Sequence, residues 1–331
     1  MTSVGMHASG TGARPMRVSW SGLPVLVLAA VLAVLPFAGV SEFTITLTTD
    51  AMIFAIWAMS LDLLVGYTGL VSFGHAAAFG LSGYAAGYFA REASGDFLLA
   101  LLVAECVVGA VAVVLGFIAT RVSGIAFAVI SLCIAQVLFT IAVVWRDVTN
   151  GMDGMVGVPL PSIAGKTIQP GTQFYFLTAI CLVAAFAILR RLVNSPFGRT
   201  LHAIRTNEDR AAAIGINVHF HKWIAFVLSW MVAAIAGTLM VFLKAGTTPM
   251  SLHWTESGNV LIMVIFGGVG TLLGPIVGSV AFVFVRDEFT TRFHAWQFVF
   301  GLVFVLVVLA FPTGLVDIFN RIWTLIWRPR S

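Results

Sequence analysis

The chain has 331 residues, of which 60% are apolar and only 10% charged, and its mean hydropathy is +1.01. Apolar runs near bilayer-spanning length recur along it, and no polar stretch is long enough to fold alone, so a soluble multidomain protein is excluded. The net charge of +4 comes without a basic patch interleaved with base-stacking aromatics, which excludes a nucleic-acid binder.

Residues 1–20 are rich in Gly, Ser and Thr with Arg14 and Arg17, and read as a cytoplasmic tail. The run from Leu23 to Val40 reads as an uncleaved first span, although Ala38-Gly39-Val40-Ser41 offers the small residues of a signal cleavage site. Further spans are expected at 43–65, 67–90, 97–119, 124–145 and 173–193. Between the last two, Arg146 to Thr172 is polar and Gly/Pro-rich, and parity places it outside. Gly165-Lys166-Thr167 has the ending of a phosphate loop, but the motif needs Gly where Leu160 stands, so no nucleotide site is expected. Cys106, Cys133 and Cys181 lie inside apolar runs with no metal spacing and read as packing residues. No cofactor is expected.

The stretch from Arg190 to Lys222 holds six of the eighteen Lys and Arg residues between two long apolar runs. Such an excess marks a cytoplasmic loop and sets the orientation of the other spans. Ser195-Pro196 is an N-cap followed by a proline at the first helical position, and Phe197, Leu201 and Ile204 then recur on one face. Thr206 with Asp209 three residues on resembles a capping box for a second short helix, with Glu208 and Asp209 in its first turn. Ala211, Ala212 and Ala213 favour the helix, and Gly215 can close it in a left-handed conformation. So short a helix needs a partner to be stable. The plain alternative is an inter-span loop that only carries orientation charges.

After the loop, 222–244 crosses outward. The run 258–286 is broken by Gly267-Gly268, Gly270 and Gly274-Pro275, and two short or tilted crossings between 256 and 287 bring the C-terminus inside after a last span at 295–311, where Arg321, Arg328 and Arg330 agree. The fold class expected is an all-α polytopic membrane protein of about ten membrane-embedded helices, including Gly/Pro-broken segments, with both termini cytoplasmic. Within the spans, Asp62 and Glu105 are costly in lipid and should face the bundle or a wet cavity. Each reads either as a satisfied interhelical group or as a transport residue. The chain carries no HExxH, no GxSxG and no His-carboxylate constellation, so it does not read as an enzyme.

Five ordered blocks resemble one family. Leu61-Asp62-Leu63-Leu64-Val65-Gly66-Tyr67-Thr68-Gly69-Leu70-Val71-Ser72-Phe73-Gly74-His75-Ala76 is similar to the signature of LivM-type permeases, the second membrane subunit of branched-chain amino-acid ABC importers. Arg121 with Gly124-Ile125-Ala126 and Thr149 to Gly154 follow, then Ser195 to Gly215, then Gly267 to Pro275, then Phe300-Gly301 through Pro312-Thr313-Gly314-Leu315. Asp62 departs from the family, which usually has Asn there.

The resemblance implies a permease domain over 21–315 with a coupling loop at 194–221 and a cytoplasmic tail at 316–331. It implies that Glu208, Asp209, Ala211, Ala212 and Gly215 dock on an ATP-hydrolysing partner. Its implied partners are a homologous second permease, two ATP-binding subunits and a periplasmic substrate-binding protein, at a bacterial inner membrane. The implied substrate is a branched-chain or related hydrophobic amino acid, while the family also includes urea and short-amide permeases. Segments interrupted by Gly or Pro mark the centre of many transporters. A translocation path is therefore expected between Gly66–Tyr88 and Phe266–Gly278, using Asp62, Gly69, Gly74, His75, Gly80, Gly267, Gly268, Gly270, Gly274 and Pro275, although the same glycines could serve packing alone. An ion-coupled secondary transporter, with Asp62 and Glu105 as ion sites, is the reading from a different class.

Overall fold

The computed structural model describes residues 23–37, 39–292 and 301. The tails expected at 1–20 and 316–331, the last span expected at 295–311 and nearly all of the final family block lie outside the described residues. The described chain is helical with small strand pairs at one end. In order it forms α1 (Leu23–Val34), α2 (Glu42–Asp62) continued by a π-helical turn (Leu63–Thr68), α3 (His75–Glu92), α4 (Phe97–Ala119), α5 (Gly124–Val144) and the short α6 (Arg146–Thr149). Then come β1 (Met155–Val156), β2 (Ser162–Ile163), β3 (Lys166–Thr167), α7 (Thr172–Val193), α8 (Pro196–Thr206), α9 (Glu208–Ala213), α10 (Val218–Leu243), β4 (Gly246–Thr247), α11 (Trp254–Gly267) and α12 (Leu273–Arg292).

Among the described residues, five helical segments are long and apolar enough to cross a bilayer: Glu42–Thr68, Phe97–Ala119, Gly124–Val144, Thr172–Val193 and Val218–Leu243. At the extremes, burial runs opposite to hydropathy. The segment containing α2 has the lowest hydropathy of the five, 1.6, and is 94% buried, whereas α4 has the highest, 2.8, and is 22% buried. In a hydrocarbon solvent an apolar side chain gains little by going inside, so the interior is filled by whatever packs closely and by polar groups that need partners. Accordingly α2 sits at the centre against α7, α10, α11 and α12.

Small residues set the distances between helices. On α4, Ala100, Ala104, Val108, Ala112 and Gly116 form a buried stripe at four-residue spacing, and α4 packs on α3 and α10. On α3, a Cβ at Gly87 would lie 3.0 Å from Met155 Sδ and 3.1 Å from Val241 Cγ2, so the glycine admits those side chains. The outer faces of α4 and α5 remain covered with exposed apolar side chains such as Leu102, Val114, Ile125 and Val137. Glu105 is not fully satisfied by its neighbours in the bundle: its Oε2 is buried without a hydrogen-bond partner.

The two ends of the bundle differ in chemistry. One end carries α8 and α9. The other carries α6 and the strands, where β1 pairs antiparallel with β4, Met155 opposite Thr247. There Gly165-Lys166-Thr167 belongs to a hairpin: β2 and β3 are joined by Ala164 (φ +50°) and Gly165 (φ +77°), a tight turn with both central residues left-handed. Asp50, buried in α2, pairs with Lys244 at 3.2 Å and Arg286 at 3.7 Å at the same end.

The orientation is checked by labelling. Lys166→Cys on the exposed hairpin is expected to react with an impermeant thiol reagent added outside intact cells, and His202→Cys on α8 only after the membrane is opened, since an excess of Lys and Arg is expected on the cytoplasmic side. The opposite pattern would invert the topology.

Candidate coupling and translocation site

The basic end is built from local capping. Ser195 Oγ accepts the Gly198 N–H at 3.3 Å, Pro196 occupies the first turn of α8, and Leu201 and Ile204 are buried while Arg199 and His202 are exposed. The second cap lies one residue later than the capping-box pattern predicts. Thr206 stays in α8 with its hydroxyl donating to the His202 carbonyl at 2.9 Å. Asn207 takes an extended conformation, φ −162°, and its Oδ1 accepts the Arg210 N–H at 2.8 Å. A single non-helical residue thus ends α8 and starts α9, and Asn serves because its short side chain reaches the free N–H groups of the next turn.

Helix α9 ends as expected. Gly215 adopts φ +89°, its N–H binds the Ala212 carbonyl at 2.9 Å, and the Ile216 N–H binds the Ala211 carbonyl at 3.2 Å, the paired bonds of a Schellman motif. Ala211 is buried. Ala212, Ala213, Ile214 and Gly215 are exposed, and Ile214 is 73% exposed.

What ties α9 to the bundle is a group that the pattern of charges does not reveal. Lys222, 2% exposed, donates to Glu208 Oε2 at 2.5 Å and to Ser123 Oγ at 2.6 Å, and Ser123 Oγ donates to Glu208 Oε2 at 2.9 Å. In sequence Lys222 reads as an orientation charge beside an apolar run. In the fold it is a buried cation whose carboxylate partner opens α9 and whose hydroxyl partner precedes α5. Asp209 is exposed beside it and lines a cleft of about 310 Å³ with Thr68, Gly69, Ser123, Arg205 and Glu208.

The residues expected along a translocation path fall into two groups. Near the basic end, Asp62 is fully buried and its Oδ1 accepts the Gly270 N–H at 2.8 Å, while Oδ2 has no partner. Backbone meets backbone beside it: a Cβ at Gly66 would lie 2.6 Å from Gly270 N. Gly69 ends the π-helical turn at φ +76°, with the Arg205 stem against it. Gly268 (φ +122°) and Gly270 (φ +78°) turn α11 into α12. Gly267 and Gly274 are in close backbone contact there, and Pro275 stands in the first turn of α12, where its missing N–H costs nothing.

The second group lies deeper. The chain from Gly69 to Gly74 is not helical, so α3 begins inside the bundle. A Cβ at Gly74 would lie 2.5 Å from the Ser131 carbonyl oxygen, and Ser131 Oγ accepts the Phe73 N–H at 3.0 Å. His75 Nε2 is 2.8 Å from Ser60 Oγ, Ser229 Oγ donates to the Ser60 carbonyl, and the Ala76 N–H binds Ser257 Oγ at 2.7 Å. Gly80 packs against Ser251 and Leu252. Four serines from four helices thus hold the irregular start of α3, as they must where no water is available to satisfy backbone. Serines scattered through apolar runs are the only sequence trace of this arrangement.

The chain's relatives have the same division of labour in their names. A family model described as the branched-chain amino acid transport system / permease component matches residues 43–308. The chain belongs to this family. It is similar to the high-affinity branched-chain amino acid transport system permease protein LivM of Escherichia coli (strain K12), 26% identical over 314 residues that cover 88% of this chain and 74% of that one. The LivM of Salmonella typhimurium is 25% identical over the same shares. A shorter stretch is similar to the L-arabinose transport system permease protein AraH of Escherichia coli, 36% identical over 111 residues, 33% of this chain and 31% of that one. No solved structure matches the chain. This permease is therefore a multi-pass membrane transport subunit, of a family that works with ATP-binding and substrate-binding partners.

Proposed function

We propose that this permease imports branched-chain or related hydrophobic amino acids across a bacterial inner membrane, with ATP hydrolysed on partner subunits at the end that carries α8 and α9. The reading takes 21–315 as one permease domain, 194–221 as its cytoplasmic coupling loop, and both termini as cytoplasmic. One homologous second permease, two ATP-binding subunits and a periplasmic binding protein would complete the importer. The observation that carries it is the construction of α9. The helix is anchored at its first residue through Glu208 to the buried Lys222, while its last turn, Ala212 to Gly215 with Ile214, projects an apolar surface. A short helix fixed at one end and apolar at the other is suited to sit in a groove on a partner and to pass that partner's motion inward.

The path would run between the two glycine-broken segments, with Asp62, Gly69, Gly74, His75, Gly80, Gly267, Gly268, Gly270, Gly274 and Pro275 around it. Contact of Gly66 with Gly270 and of Gly74 with Ser131 then corresponds to a shut conformation, since backbone fills the space between the segments.

Uptake of leucine, isoleucine and valine by the assembled complex in proteoliposomes tests the reading. Uptake is expected to require ATP and the binding protein and to survive an ionophore; urea or a short amide as the transported species would move the permease to another branch of its family. Asp62→Asn separates this from ion coupling. An amide oxygen can still accept the Gly270 N–H, so an importer should keep uptake within about twofold, whereas Asp62→Leu, which orphans that buried N–H, should lose most of it. An ion-coupled transporter would lose uptake with Asn as well.

A further inference from the structure

Arg205 stands on the exposed side of α8, yet its guanidinium turns into the bundle. Its Nη1 donates to the carbonyl of Gly66. That carbonyl belongs to the last turn of the helix that α2 begins, where carbonyls have no partner further along the chain. The aliphatic stem of Arg205 lies over Gly69, with Cγ 3.3 Å from where a Cβ would stand, and its Nη1 is equally close to the corresponding point at Gly270. One side chain from α8 therefore touches both glycine-bearing turns. These turns are themselves joined through Asp62 and the Gly270 N–H. Glycine at 66, 69 and 270 is what lets three backbones and one guanidinium occupy so small a space.

The contact has a direction. Helix α8 is joined to α9 by the single extended residue Asn207, and Thr68, Gly69, Arg205 and Glu208 line one cleft between that pair and the π-helical turn. A movement of α9 therefore acts on Arg205 before it acts on any other side chain that reaches the π-helical turn of α2 by a hydrogen bond. The pull falls on a carbonyl at the point where that helix stops and the irregular chain into α3 starts.

We propose that Arg205 is the positioning residue through which movement of the α8–α9 pair opens and closes the junction between the π-helical turn and the α11–α12 turn. The proposal rests on the importer reading, since only there does α9 receive motion from a partner. It differs from a purely structural clamp in what it predicts for rate and assembly.

The test uses the complete complex with its binding protein and leucine. Arg205→Met keeps the stem over Gly69 and removes every donor; Arg205→Lys keeps the stem and a single ammonium donor only one bond short of the Nη1 position that meets the Gly66 carbonyl. Arg205→Met is expected to assemble and to lower the leucine-stimulated component of ATP hydrolysis and the maximal uptake rate about tenfold. The leucine concentration for half-maximal uptake, set by the binding protein, should stay within about twofold. Arg205→Lys should recover at least half of both rates. Wild-type stimulation in Arg205→Met would overturn the proposal, and so would failure of Arg205→Met to assemble, because the contact would then be structural. Equal loss in Met and Lys would overturn it too, since the hydrogen bond to Gly66 would not be what matters. If the wild-type complex itself shows no leucine-stimulated hydrolysis, it is the importer reading that fails, independently of Arg205.

Discussion

Glu208→Ala is expected to release α9 from the bundle and to uncouple the permease from its ATP-binding partner. The substitution leaves the Lys222 ammonium, 2% exposed, with the Ser123 hydroxyl as its remaining partner. Breaking a buried ion pair by removing one member costs about 3–5 kcal/mol. Because the Glu208 side chain is 42% exposed, screening places this case at the low end, about 2–3 kcal/mol. That is enough to shift the docked-to-undocked ratio of α9 by roughly thirtyfold or more. Hydrogen exchange over 208–216 should lose protection by that factor, and ligand-stimulated ATP hydrolysis should fall with it. The companion substitution gives the sign of the effect. Glu208→Ala with Lys222→Met removes the buried charge together with its partner, and should recover much of the protection that Glu208→Ala alone loses. Unchanged exchange and unchanged hydrolysis in Glu208→Ala would show that the pair does not hold α9.

Single methyl groups added at Gly66 or Gly74 are expected to cost far more than the same methyl elsewhere in the bundle. At Gly66 the new Cβ would meet Gly270 N at 2.6 Å and Gly270 Cα at 2.7 Å; at Gly74 it would meet the Ser131 carbonyl oxygen at 2.5 Å. At Gly66 the Asp62 carboxylate is closer still, but at both sites backbone is among the obstacles, and backbone cannot rotate aside as a side chain can. Overpacking of a core typically costs about 1–3 kcal/mol, and these two sites should lie at or above the upper end. Gly109 is the control, because a Cβ there meets nothing within 4 Å and Ala is the better helix former by about 1 kcal/mol. Thermal midpoints and yields of the purified complex should separate Gly66→Ala and Gly74→Ala from Gly109→Ala, which should match or exceed wild type. Equal behaviour of all three would mean that the junction is loosely packed, and would remove the physical basis for a shut conformation there.

Much of the helical order could be read before any coordinates. The starts at Ser195-Pro196 and the stop at Gly215 follow from groups within four residues of each other, and the structure places both as expected. The helix break at Gly267 to Pro275 was visible for the same reason. Where the reading slipped, the deciding contact was finer or more distant. Thr206 and Asn207 are both good caps, and the choice between them depends on which one leaves the helical conformation, a matter of how α8 and α9 fold against the bundle.

What the sequence determined by itself is the long apolar helices, most of their start and stop signals, and their family. Hydrocarbon forces every spanning segment to satisfy its own backbone, and that requirement is local, so it leaves a local signature of apolar length and capping residues. Tertiary structure alone decided which helix is central and which charges are structural. Hydropathy would put α4 inside before α2, and the order is reversed because lipid solvates apolar side chains as well as the protein interior does. The pairing of Lys222 with Glu208 and Ser123, and of Arg205 with a carbonyl 139 residues away, has no periodicity to betray it. The Lys222 contacts exist because a buried cation must find an acceptor wherever packing brings one, and packing, which also brings the Gly66 carbonyl to Arg205, is a property of the whole bundle.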